Sequence, residues 1–242
     1  MNIQGFQIFT DGFAEACSLL LDGTLSVWTI ILASLKVSSL ALAIGLGIGI
    51  PLGFYLGSKF TIPRRIILIL ANAGMGIPPT VVGLFVTMLL SRKGPFGPLN
   101  LLYTQEAMVI AQIFIATPMV TAIAASAVAS VPDELRLQAR SLGASKLQEM
   151  ALTLKEARIG IFAAIAAGMG SIISEVGAVQ MVGGNILGKT QVMTTAIVQY
   201  TRMGKYGYSI ALALALLTIV LIVNILLTKM QTHGNESDKR GA

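Results

Sequence analysis

The chain has 242 residues, 55% of them hydrophobic and only 12% charged, with a mean hydropathy of +0.79. Soluble domains carry roughly a quarter charged residues, so this balance excludes an ordinary soluble enzyme or binding module and indicates a membrane protein. The net charge of +6 does not point to nucleic acid, because Lys and Arg sit at the edges of apolar runs, and the lone Cys17 excludes an intrachain disulfide or a thiolate metal site.

No Lys or Arg precedes Lys36, so the charged start of a signal peptide is missing. Residues 12–35 mix "SLLL" and "VWTIILASL" with acids at Glu15 and Asp22. They read as a helix at the membrane interface anchored by Trp28, or as part of a sixth span. Five segments are long enough to cross a hydrocarbon core of about 30 Å. They lie near 37–57, 66–90, 107–130, 159–182 and 208–228.

In the first span Gly45, Gly49, Gly53 and Gly57 recur at every fourth position on one helical face. Such a row admits another helix closely, from the same chain or from a second copy, and Pro51 suggests a kink. In the second span Pro78–Pro79 falls near mid-depth, where missing donors free carbonyls that need other partners, as in the broken helices of transporters. The fourth carries a small-residue stripe, Ala163, Ala167, Gly170 and Ser174, beside Glu175. That carboxylate either lines a polar path or pairs with Lys189 or Arg202. Residues 182–207 follow, with backbone amides at Gly183–Gly184, the Asn185 amide and hydroxyls at Thr190, Thr194 and Thr195. They form either a polar surface loop or a set of neutral donors that escort an anion weakly. The polar tail beyond Lys229 holds His233, the single histidine.

Catalysis finds few candidates here. His233 lies in the tail, Glu175 is the only carboxylate well inside a span, and no GxxxxGK[ST] phosphate loop occurs. No catalytic residue and no metal ligand is expected. Basic residues set the orientation. With the N-terminus outside and the C-terminus inside, eleven fall within, namely Lys59, Arg64, Arg65, Arg136, Arg140, Lys146, Lys155, Arg158, Lys229, Lys239 and Arg240. Six fall outside: Lys36, Arg92, Lys93, Lys189, Arg202 and Lys205.

That orientation places residues 130–158 in the cytoplasm. Ser130, Pro132, Asp133 and Glu134 form a helix start, and Leu135, Ala139 and Leu142 give an apolar stripe. Gly143 ends this helix, and Ser145 with Gln148 reads as a capping box that starts another. Two short helices joined through "LGAS" make a handle for another protein's groove, or an amphipathic pair on the lipid surface.

The segment "LQARSLGASKLQEMALTLKEARIGI" resembles the EAA loop of permeases of type I ABC importers. It departs at the opening, where Leu137 and Gln138 replace Glu and Ala, and at Lys155, where a proline is usual. "GIPPTVVGL" looks like the second-span motif of molybdate and sulfate permeases, and "ISEVGAVQMVGGNILGKTQVMTTAIV" is similar to permeases of tungstate importers. The resemblance implies an all-α, polytopic transmembrane fold. It would have about five spans over 30–228, an N-terminal interfacial segment at 1–29, a coupling helix in the loop 131–158 and a polar tail at 229–242. It further implies a second copy of the chain, two cytoplasmic ATPase subunits carrying ATP and Mg²⁺, an extracytoplasmic oxyanion-binding protein and a prokaryotic cytoplasmic membrane. No cofactor is expected on the chain itself.

The residues implied in ATPase coupling are Leu137, Gln138, Ala139, Arg140, Ser141, Leu142, Gly143, Ala144, Ser145 and Lys146. Those of the path are Pro78, Pro79, Ser174, Glu175, Asn185, Thr194 and Thr195. Tungstate is the leading substrate, with molybdate and sulfate as alternatives. A self-sufficient channel or ion-driven carrier is a separate reading, although an ion-driven carrier needs more intramembrane carboxylates than Glu175 supplies.

Overall fold

The computed structural model describes residues 3–22, 25–58 and 62–239, without the side chains of 3–9, 25 and 232–239. Lys59 and Arg240 lie outside the described residues, as do the side chains of His233 and Lys239. Eleven α-helices follow in order: α1 (Ile3–Leu21), α2 (Leu25–Gly57), α3 (Ile62–Met75), α4 (Pro79–Leu90), α5 (Gln105–Ala129), α6 (Asp133–Ser141), α7 (Lys146–Glu156), α8 (Arg158–Ile173), α9 (Gly177–Gly183), α10 (Met193–Arg202) and α11 (Tyr206–Lys239).

Three stretches are long and apolar enough to cross a membrane, Ser26–Gly57, Gln105–Ala129 and Tyr206–Gln231, and up to five if each of two bent helix pairs counts as one span. Among the described residues α1 does not meet that test. Several boundaries differ from the sequence expectation. α2 begins at Leu25, so residues 25–35 continue the first span and are not part of an interfacial helix. Lys36 is exposed and the helix passes through it without a break. The expected spans 66–90 and 159–182 are each interrupted, between Met75 and Pro79 and between Ile173 and Gly177. The polar tail continues α11 as far as Lys239.

The chain divides into two compact units. The first comprises Met1–Ala41, Pro78–Gln112 and Ile172–Ile222. Its core joins Val27, Ile30 and Ile31 of α2 to Met193 and Ala196 of α10 and Leu212 of α11. α1 rests on the start of α11, where a Cβ on Gly12 would stand 3.0 Å from Ile210. α4 and α9 touch backbone to backbone, since a Cβ on Gly83 would lie 2.6 Å from the Ala178 Cα.

The second unit comprises Leu42–Ile77, Ile113–Ser171 and Val223–Ala242. Here the glycine row of α2 faces α5 of the same chain. Cβ atoms on Gly49 and Gly53 would each approach within 2.7 Å of Val120 and Ala124. Of the two readings of this row, packing within the chain is the one the structure shows, and α2 runs through Pro51 without a break. α8 packs on α5 through Gly160 against Ala127 and Gly168 against Val120. The buried residues of α8 include Ala164, Gly168 and Met169, whereas Ala163, Ala167 and Gly170 of the small-residue stripe are only half-buried. α3 has no buried residue, and Ile62, Ile66, Ile69 and Leu70 are all exposed.

Candidate functional site

The handle is built as the sequence pattern demands, with one exchange of roles. Residue Gly143 takes φ +81°, a left-handed conformation that a residue with a Cβ adopts only at a cost. Around it the Ala144 N–H donates to Ala139 O at 3.0 Å and the Gly143 N–H to Arg140 O at 2.9 Å, a Schellman ending to α6. Ser145 then starts α7. Its Oγ accepts from the Gln148 N–H at 3.4 Å, and its own N–H donates to Gln148 Oε1 at 2.8 Å. Arg140 and Glu149 close the angle between the two helices with paired hydrogen bonds of 2.7 Å, and the carboxylate raises the Arg140 pKa. Ser130 does not cap α6. Its hydroxyl donates back to Ala127 O and finishes α5, and Pro132 occupies the α6 cap position.

The apolar stripe of the handle is divided. Leu135 and Ala139 are half-buried, while Leu142 is 89% exposed and is flanked by exposed Leu137 and Leu147. Together these leucines form an exposed apolar knob on the handle. At its base a hollow of about 800 Å³ is lined by Phe54, Ser58, Val131, Arg136, Arg140 and Met150, among others. Arg136, counted from sequence among the cytoplasmic basic residues, is only 8% exposed. Its Nη1 donates to Ser58 O at 3.0 Å and its Nη2 to Val128 O at 2.8 Å.

The two interrupted regions supply the rest of the site. Pro78 and Pro79 do not kink a continuing helix. Pro78 is the cap residue of α4 and Pro79 its first residue, where the missing N–H removes a donor that would be unpaired anyway. Ser174 and Glu175 occupy the α8–α9 break. The Glu175 carboxylate is 9% exposed and accepts from the Ala178 N–H at 2.9 Å, so it caps the positive end of α9. It forms no ion pair with Lys189 or Arg202, the cations expected from sequence. Thr194 of α10 donates to Glu175 O at 2.8 Å, and Gln112 of α5 donates to Ile172 O at 3.0 Å, so the break's carbonyls are satisfied from neighbouring helices. Gly177 meets Thr80, which brings the start of α4 to the same place.

The hydroxyls read as anion escorts are therefore engaged. Thr190 Oγ1 donates to Gly183 O at 2.6 Å and accepts from the Ile186 N–H, and Thr195 Oγ1 donates to Val192 O. Gly184 donates to Gln180 O. These groups hold the backbone in place and leave no free hydroxyl donor.

The sequence reading missed an amide cluster in which Asn185, at φ +50°, and Gln191 both donate to Gln199 Oε1, at 2.7 and 2.6 Å. The only signal was three amides on one short stretch. Two small hollows flank the cluster. One, of about 250 Å³, has Asn185, Gln199 and Arg202 on its wall; the other, of about 220 Å³, has Lys36, Gln105, Lys189 and Gln191. Among the described residues none of these three cations is in an ion pair.

Residues 49–232 match the family described as "Binding-protein-dependent transport system inner membrane component". A tungstate uptake system permease protein of Peptoclostridium acidaminophilum is 39% identical over 226 residues, covering 93% of this chain and 99% of that protein. Its counterpart in Campylobacter jejuni is 34% identical, covering 91% of this chain and 92% of that protein. The crystal structure of a bacterial ABC transporter involved in the import of the acidic polysaccharide alginate aligns with a TM-score of 0.75 at 17% identity, over 91% of this chain and 83% of that one, a likeness of fold. The match over most of the length, on a helical frame with an exposed handle, establishes that this chain belongs to that family as an inner-membrane component of a binding-protein-dependent transport system.

Proposed function

We propose that the chain is the permease subunit of an ATP-driven importer of tungstate, working as two copies with two cytoplasmic ATPase subunits and an extracytoplasmic oxyanion-binding protein. The observation that carries the reading is the near end-to-end similarity to tungstate uptake permeases, at 39% identity over 99% of the relative's length. ATP and Mg²⁺ are held by the partner ATPase.

The handle from Leu137 to Lys146 is the part an ATPase grips. Its exposed Leu142 and the rigid turn at Gly143 support this role. The anion passes between two copies, along a wall shaped by the helix breaks at Pro78, Pro79, Ser174 and Glu175 and by Asn185, Thr194 and Thr195. A tetrahedral dianion held tightly would not be released, and a wall whose hydroxyls are engaged with backbone suits brief passage. The cations Lys36, Lys189 and Arg202, none of them in an ion pair among the described residues, supply attraction at its margins. The N-terminus lies outside and the C-terminus inside the cytoplasmic membrane.

The test begins with the tagged chain solubilised in mild detergent. An ATPase subunit co-purifying at 1:1 is the expected result. Uptake of tungstate by the reconstituted complex, in competition with molybdate and sulfate, then assigns the anion. Uptake that persists when ATP hydrolysis is blocked would overturn the importer reading in favour of a channel or carrier. Preference for molybdate or sulfate would overturn tungstate alone.

A further inference from the structure

We infer that Arg136 is the joint through which movement of the handle reaches α2, a positioning residue for coupling whose role rests on the ATP-driven reading above. The handle is connected by the chain itself to α5 on one side and to α8 on the other, where α7 and α8 meet at 65°. It is not joined directly to α2: Ser58, the residue that follows α2, precedes Arg136 by 78 positions. One guanidinium makes that link. Its two terminal nitrogens reach Ser58 O, just past the end of α2, and Val128 O, in the last turn of α5.

Both carbonyls lie at helix C-termini, where the helix dipoles place partial negative charge, and Val128 O also accepts from the Val131 N–H at 3.3 Å. A planar fork with a permanent positive charge suits two such acceptors at once. The arrangement is poor for stability alone. Arg136 is 8% exposed, its Nε has no partner, and the Asp133 carboxylate is 3.7 Å away and almost fully solvated. A buried charge with an unpaired donor is generally replaceable by apolar side chains without loss of stability. What an apolar side chain would not do is oblige three elements to move together. Phe54 of α2 also packs on the Val128, Val131 and Ala157 cluster, but such a contact permits sliding where directed hydrogen bonds do not.

The experiment uses the full transporter in proteoliposomes with its ATPase and binding protein, measuring tungstate uptake and ATP hydrolysis together. Arg136→Lys keeps the charge but replaces the planar two-nitrogen fork by one ammonium on a flexible stem, so the two carbonyls are no longer held at a fixed spacing. The expected result is a fall of about tenfold or more in uptake per ATP hydrolysed, at unchanged yield of the complex. Normal uptake per ATP would overturn the proposal. A loss of uptake matched by a loss of assembled complex would also overturn it, making Arg136 a folding residue. Asp133→Asn leaves both carbonyl bonds in place and should couple normally; a loss equal to that of Arg136→Lys would overturn the joint as well. If the unaltered chain fails to couple uptake to hydrolysis, the function reading itself falls, a separate and distinguishable failure.

Discussion

At the handle, helix-ending residues face outward: Leu142 is 89% exposed and a Cβ on Gly143 would meet nothing within 4 Å. At the α8–α9 break and in the loop after α9 the capping groups face inward, with Glu175 9%, Thr194 7% and Thr190 2% exposed, although Ser174 in the break is exposed. Both regions end and restart helices with side-chain caps. In the handle the caps hold the shape of an exposed surface, and packing does not decide which residue stands at Leu142 or Gly143. In the break they replace backbone hydrogen bonds that hydrocarbon cannot supply, so geometry and stability are inseparable. The difference teaches that polar residues within apolar sequence have to be read by burial before they are read as binding groups.

The largest effect that would test this contrast is expected for Leu142→Asp. It should weaken ATPase association about 100-fold or more, as for a buried interface anchor, yet leave the thermal midpoint of the permease unchanged. Co-purification and a melting curve decide it; a lowered midpoint would erase the distinction between the two regions. Next comes Thr190→Val, which strands Gly183 O and the Ile186 N–H together and should cost about 1–3 kcal/mol of stability. ATPase bound per folded chain should not change.

A smaller effect is expected at Gly143, where the requirement is backbone angle and not space. Gly143→Val should disturb the handle by about 1–2 kcal/mol, whereas Gly143→Asn, tolerated in left-handed conformation, should bind ATPase nearly as well. Equal losses in the two variants would show that bulk is what matters there. Glu175→Gln comes last. It keeps an acceptor for the Ala178 N–H and should cost less than about 1 kcal/mol, with tungstate uptake little changed. A collapse of uptake with the fold intact would show that the carboxylate meets the anion, and would sharpen the contrast into one between cap and path.

Local signals in the sequence carried through wherever a residue's task is set by its neighbours in the chain. The Ser145 capping box, the turn at Gly143 and the helix restarting at Pro79 all depend on three or four adjacent residues. The glycine row announced a close helix contact, although only the structure identifies α5 as the partner. What stayed illegible depends on distant segments. Nothing near Arg136 indicates that Ser58 O awaits it, and nothing near Glu175 says that Ala178 will use the carboxylate before any cation does. Span ends were misjudged for a related reason. Hydropathy averages across residues 66–90 and 159–182, and three residues without helical hydrogen bonds barely alter an average.

The self-capping of the handle bears on how such transporters diversify. The Schellman ending, the capping box and the Arg140–Glu149 pair all lie within residues 133–156, and each is completed by residues of that stretch alone. The segment is in effect a cassette. Mutation or recombination could exchange its exposed leucines, and on the proposed role of the handle its choice of ATPase, without altering the caps that shape it. The side chain at 136 is the exception, because its hydrogen bonds to Ser58 O and Val128 O tie the cassette to groups outside it.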